Sequence, residues 1–382
     1  MALWQRLKES LGLSAKKGEV YPDGATPTEK DTITAIRDLS RAVMDNPDAV
    51  EIYLALGNLY RSRGDVERAV QIRESLLIRS ELSSTLKGKT YFELGQDYRR
   101  AGLLDRAFSA YVEAERLGVS SKLINTEMAG IYSSSGNWEK AAEYFFAVGN
   151  KAAEAHYLTR QGEEVLKGSF DERRKAMRLF NRALKVFPAS IEAWAAIIGL
   201  YAHTGKWGAA AKALAKALEA IAPEKSFMLF EELVALTPRV EQVPGQEVGR
   251  PDQNAKIIFN ASLTDALIPV LMRRPPEFFP NYYGSVMLNR IGRREDAEQW
   301  LDKALVMQPD FWFGRLLHLD IARHAQTLPP VLDTDLEFFI SQSRHLKRYV
   351  CSVCGLNRDQ LFYSCPRCGS WHSATFKSSL SE

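Results

Sequence analysis

The residues of this 382-residue chain best placed to do chemistry are its four cysteines. All fall in "CSVCGLNRDQLFYSCPRCG", residues 351–369, as two C-x-x-C pairs with ten residues between Cys354 and Cys365. In each pair the two-residue spacer folds as a tight knuckle. Both sulfurs then point at one centre while backbone N–H groups donate to them. Gly355 and Gly369 follow the knuckles directly and suit the positive φ of such a turn, and Pro366 stiffens the second. Tetrahedral sulfur selects zinc or iron. Cys351, Cys354, Cys365 and Cys368 are therefore the expected ligands of one tetrathiolate metal ion, Fe or Zn. Disulfides would need an oxidising compartment, and no export signal is visible at the N-terminus. An iron–sulfur cluster usually has different spacing.

The segment around them is too short to hold a core alone, so metal binding must supply its folding free energy. Tyr349, Phe362, Tyr363 and Trp371 are expected to form its small apolar shell. The ten-residue spacer suggests one short hairpin with a knuckle at each end. This pattern resembles a rubredoxin-like or zinc-ribbon module. Arg344, His345, Lys347, Arg348, Arg358 and Arg367 crowd the segment. We read them as offsetting the charge of four thiolates around a divalent ion; a nucleic-acid patch is the alternative. His372 is expected at the surface.

Little else suggests chemistry. There is no Gly-rich phosphate loop, no Ser/His/Asp order and no H-E-x-x-H, and the six histidines are scattered. The chain does not read as an enzyme, and isolated Glu and Asp residues on its helices are expected on solvated faces. Fifty Lys and Arg against 47 Asp and Glu leave a net charge of +3, which lacks the strongly basic footprint of a nucleic-acid binder. No run approaches the length of about 18 consecutive apolar residues that spans a bilayer. In "MALWQRLKESLGL", Leu3, Trp4, Leu7 and Leu11 recur at helical spacing. Residues 1–28 thus read as an amphipathic and flexible segment whose first thirteen residues are a candidate peripheral membrane contact.

The elements that must carry the cysteines come from self-similarity. Tyr53, Leu56, Gly57, Tyr60, Gly64 and Ala69 are echoed by Tyr91, Leu94, Gly95, Tyr98, Gly102 and Ala107. Thirty-four residues later come Met128, Tyr132, Gly136 and Ala141, and a further copy has Trp194, Tyr201, Gly205 and Ala210. This resembles the tetratricopeptide repeat, a helix–turn–helix unit of that length. Small residues let paired helices approach, tyrosines fill the remaining holes, and the later glycines stop the first helix. The fold class is all-α, a tetratricopeptide-repeat superhelix (solenoid) with a small C-terminal metal domain. The domains expected are repeats over 29–236, a Pro/Gly linker over 237–254, tetratricopeptide-like repeats over 255–346, and the four-Cys domain over 347–377. Residues 224–236 read as one helix without its partner. Such a solenoid exposes a concave surface for a protein partner. Some repeats grip a C-terminal carboxylate with Lys and Asn at set positions; only Asn58 matches, so that mode is not expected.

Repeats followed by "YVCSVCGL…LFYSCPRCGSW" resemble the lipopolysaccharide assembly protein B family of Gram-negative bacteria. Tyr349, Cys351, Cys354, Gly355, Cys365, Pro366, Cys368 and Trp371 meet that family's tail pattern. The resemblance implies an adaptor that limits lipopolysaccharide production. It would hold the committed lipid A deacetylase near a membrane AAA+ protease, with the metal module docked on the repeats. Members of the family carry an N-terminal transmembrane helix, which this sequence does not show. Either residues 1–13 substitute as an anchor at the cytoplasmic face of the inner membrane, or the client differs. Nucleic acid is not an expected partner, and homo-oligomerisation stays open. The readings of other classes are rubredoxin-like electron transfer and a nucleic-acid-binding zinc ribbon.

Overall fold

The computed structural model describes residues 29–46, 49–79, 81–168, 172–237, 251–325, 328–343 and 348–377. The expectations for residues 1–28, for most of the 237–254 linker and for Arg344, His345 and Lys347 lie outside the described residues. Two compact units emerge, residues 1–137 and 138–382.

In the first unit the described residues are helical: α1 Glu29–Asp45, α2 Val50–Ser62, α3 Val66–Leu77, α4 Ser84–Arg100, α5 Leu104–Arg116 and α6 Ser121–Ser134. The pairs α2/α3 and α4/α5 pack as antiparallel hairpins and stack on each other. Side chains of Asp65 and Ser83 accept from the N–H groups of Arg68 and Leu86, capping α3 and α4. Gly64 and Gly102 end the first helices at positive φ, as the spacing predicts. Gly95 is a close-approach position, because a Cβ there would lie 2.5 Å from the Tyr111 ring. At the equivalent Gly57 the filler is Arg73 instead of an aromatic ring. Its fully buried guanidinium lies 2.8 Å from Asp97 and 3.4 Å from Glu93, and Arg61 reaches the same two carboxylates. Asn58 accepts from both arginines. Of the repeat tyrosines, Tyr98 is buried while Tyr60 and Tyr132 are only half-buried, so the aromatic plugs are less uniform than the repeat pattern suggests.

The second unit continues with α7 Trp138–Val148, α8 Lys151–Gly168, α9 Arg173–Val186, α10 Ile191–His203 and α11 Trp207–Ala220. Then come α12 Ser226–Leu236, α13 Pro251–Met272, α14 Phe278–Arg290, α15 Arg294–Met307, α16 Trp312–Ala325 and α17 Pro330–Ser343. Helices α8/α9, α10/α11 and α14/α15 form antiparallel pairs. The helix read as partnerless is not an orphan: α12 stacks between α10 and α14, and α13 packs on α11 and α14. Among the described residues one stretch, Ala255–Met272 in α13, is long and apolar enough to cross a membrane. Asn260, Thr264 and Asp265 break its apolar run, which is why no unbroken span appears in the sequence. Here Leu263, Leu267 and Leu271 are buried in the core. A three-stranded antiparallel sheet completes the unit: β1 Tyr349–Cys351, β2 Asn357–Arg358 and β3 Ala374–Phe376, in the order β2-β1-β3. The core is continuous from α9 to the sheet, and Tyr349, Cys351, Phe362, Cys365 and Ala374 belong to it.

Candidate metal centre

Each C-x-x-C knuckle is the turn of its own small hairpin, which differs from the single hairpin expected. The first lies between β1 and β2, paired Tyr349 to Arg358 and Val350 to Asn357. There Gly355 N–H donates to the Cys351 carbonyl at 2.9 Å, and Cys351 N–H donates to the Leu356 carbonyl. The second repeats this geometry, with Gly369 N–H donating to the Cys365 carbonyl at 2.8 Å and Cys365 N–H to that of Ser370. A bridge between Ser364 and Trp371 closes it. Gly355 and Gly369 take φ of 69° and 70°, where any side chain would be strained.

Two facing knuckles bring sulfurs together across the pairs. Cys351 Sγ lies 3.7 Å from Cys368 Sγ, and Cys354 Sγ lies 3.6 Å from Cys365 Sγ. All four sulfurs lie within 4.8 Å of one another. A tetrahedron with metal–sulfur bonds of about 2.3 Å has edges of about 3.8 Å. The donor set and spacing therefore fit one tetrahedral ion. Cys351 and Cys365 are buried, whereas Cys368 is exposed. Burial raises the Cys351 thiol, but the Ser373 hydroxyl and the N–H groups of Cys354 and Val353 outweigh it and bring it down to about 6. The Leu356 N–H pulls Cys354 down, yet burial and the neighbouring thiols push it up to about 12. The Ser373 hydroxyl and the backbone N–H groups at Cys351 favour its thiolate, the form that binds a cation.

The aromatic residues expected as the module's private shell face the repeats instead. Tyr349 stacks on Phe227 of α12 at 6.1 Å, and Trp371 meets Phe145, His156 and Tyr157. The ring of Phe376 lies within 6 Å of Phe227, Phe279, Phe311, Phe313 and Tyr349. Polar contacts fix the register of this docking. Lys225 Nζ donates to the Ala374 carbonyl at 2.7 Å, and the Tyr363 hydroxyl donates to Glu232 at 2.6 Å. Arg348 lies 3.7 Å from Glu231 and over the Phe313 ring, so it serves the docking surface and not the thiolates. Among the described residues, Lys225, partly desolvated by burial, is a cation whose charge reaches Cys351.

His372 is not a surface residue. Its φ is 50°, its ring packs against Phe187, and its Nε2 lies 3.4 Å from Glu192. His156 Nδ1 lies 2.9 Å from the other Glu192 oxygen. Burial alone would raise the Glu192 carboxyl, but the two imidazoles bring it down to about 2. Glu192 is thus a buried tie, contrary to the expectation of solvated acids. A signal for it exists in the sequence: Glu192 and Glu232 interrupt the apolar stretches "IEAWAAIIGLYAH" and "SFMLFEELVAL". A carboxylate on such a helix requires a buried partner.

With this geometry established, comparison with known proteins identifies relatives. Tetratricopeptide-repeat family models match residues 52–84 and 171–225. Lipopolysaccharide assembly protein B of Escherichia coli (strain K12) is 24% identical over 346 residues, covering 86% of this chain and 81% of that protein. The protein of the same name from Haemophilus influenzae is 27% identical over 175 residues, 44% of this chain and 43% of its own. A tetratricopeptide repeat protein from Parabacteroides merdae is 18% identical, covers 71% of this chain and 98% of its own, and superposes with a TM-score of 0.34. The chain is a tetratricopeptide-repeat protein with homologues named lipopolysaccharide assembly protein B over most of its length.

Proposed function

We propose that this protein is a non-enzymatic adaptor that regulates lipopolysaccharide synthesis, a role suggested by the name its relatives carry. Its repeats bind the committed deacetylase of lipid A synthesis and present it to a membrane AAA+ protease at the cytoplasmic face of the inner membrane. Cys351, Cys354, Cys365 and Cys368 ligate one iron or zinc ion. That ion organises a module of about thirty residues into a wall of the protein-binding unit. The observation that carries this reading is the continuous core: Tyr349, Phe362 and Ala374 of the module are buried together with residues of α9 to α16. A freely hinged electron carrier would not need its rings inserted among the repeats, so the docking favours a structural ion.

Affinity capture from membrane and soluble fractions tests this, comparing wild type with the double variant Cys351→Ser, Cys354→Ser. We expect the deacetylase and the protease with wild type and neither with the variant. Absence of both from the wild-type capture would overturn the adaptor role. Elemental analysis of the same preparation identifies the ion, and a colourless protein holding zinc excludes the redox reading, since a ferric tetrathiolate is strongly coloured.

A further inference from the structure

A cavity of about 420 Å³ lies beside the metal module in the second unit. Helices α8, α9, α10 and α12 form most of it, and Tyr363 of the module closes one side. Its floor is apolar, built from Leu166, Phe180, Ala196, Leu200 and Leu236. Its polar lining holds three carboxylates, those of Glu163, Glu192 and Glu232, together with Arg160, His156 and His203. Two of them have basic neighbours: Glu163 lies 3.0 Å from Arg160, and Glu192 lies between His156 and His372. Glu192 is only 8% exposed and is already tied by both imidazoles.

Glu232 is different. Its hydrogen bond comes from the neutral Tyr363 hydroxyl, and among the described residues no cation lies within ion-pair distance of it. Burial pushes its carboxyl up; the Tyr363 bond opposes this, and Glu163, Glu192 and Glu231 push it further. A half-buried carboxylate with only a neutral donor is stabilised most by a cation arriving from outside. An apolar floor leading to that carboxylate matches a side chain with an aliphatic stem and a charged end.

We infer that this cavity receives a lysine or arginine side chain of the bound polypeptide, with its stem on the floor and its charge at Glu232. The inference rests on the adaptor reading and specifies the chemistry its client must present. It also gives the metal module a part in recognition. Tyr363 holds the Glu232 carboxylate in place and walls the cavity, so a chain that has lost the module presents an open and disordered acid.

The test uses full-length, metal-loaded protein and two small probes, N-acetyl-arginine amide and its neutral counterpart N-acetyl-norleucine amide. Binding is followed by NMR at Gly199 and Tyr363. The arginine probe should give saturable shifts at both, and Glu232→Gln should weaken it about tenfold, as loss of a charge-assisted bond does. Ala196→Leu fills the floor without touching a carboxylate and should weaken it as well, so the test survives if Glu232→Gln does not fold. Tyr363→Phe, which keeps the ring and loses the hydroxyl, should fall between wild type and Glu232→Gln. Equal binding of both probes, no saturable shift with either, or unchanged affinity in folded Glu232→Gln would each overturn the inference. Capture of the deacetylase by a protein that ignores the arginine probe would sink this inference alone and leave the adaptor role standing.

Discussion

Phe376→Ala separates docking of the metal module from coordination of its ion. Phe376 contributes no ligand, yet its ring is surrounded by four phenylalanines of the repeats and by Tyr349. Truncating a fully buried phenylalanine costs about 3–5 kcal/mol. Phe376 is half-buried, which places the loss near the lower end, at about 3 kcal/mol, or a shift of about a hundredfold in the docking equilibrium. The four sulfurs and both knuckles are untouched, so elemental analysis should find the metal still bound. Hydrogen exchange should accelerate in Ser226–Leu236, because Phe227, Glu231 and Glu232 there hold the module. Helices α4 and α5, in the other compact unit, serve as the internal control and should not change. Unchanged exchange in Ser226–Leu236 with the metal retained would refute the argument that these rings clamp the module. Equal acceleration in α4 and α5 would refute it too, since the effect would then be global.

Three further substitutions probe the repeats. Gly95→Ala should destabilise the first unit by about 1–3 kcal/mol through overpacking against Tyr111. Gly199→Ala, whose added carbon meets Leu236 at 3.5 Å, should instead be neutral or stabilising by up to about 1 kcal/mol, and thermal melts distinguish the two. Arg73→Met should cost about 1–3 kcal/mol because it takes one of two guanidinium partners from the buried Asp97 carboxylate and leaves Arg61 alone there, and adding Asp97→Leu should restore part of the loss in denaturant titrations.

Some of this organisation was open to a reader of the sequence because it is local. A knuckle needs two cysteines, a short spacer and a glycine at positive φ, and all of these lie within five residues of one another. The hairpin of a repeat is likewise set by a period of small and bulky residues and by the glycine that ends its first helix. The Glu192 tie was legible only as a conflict, a carboxylate on an apolar helix, and the conflict does not say which histidines resolve it. Arg73 was harder still, since a guanidinium in the place of an aromatic ring reads as a surface residue until Asp97 and Glu93 are brought beside it.

The sequence by itself determined that four thiols converge and that the chain is built of paired helices, because both follow from spacings along the backbone. Only the tertiary structure decided where the module's aromatic rings go, and it turned them outward into the repeats. A segment of that size has too little interior to bury Tyr349, Trp371 and Phe376, so another surface had to receive them. The same contact drew Glu192, Lys225 and Glu232 out of the ranks of ordinary helix residues. Burial and a partner more than a hundred positions away give them their roles, and no local pattern records such a distance.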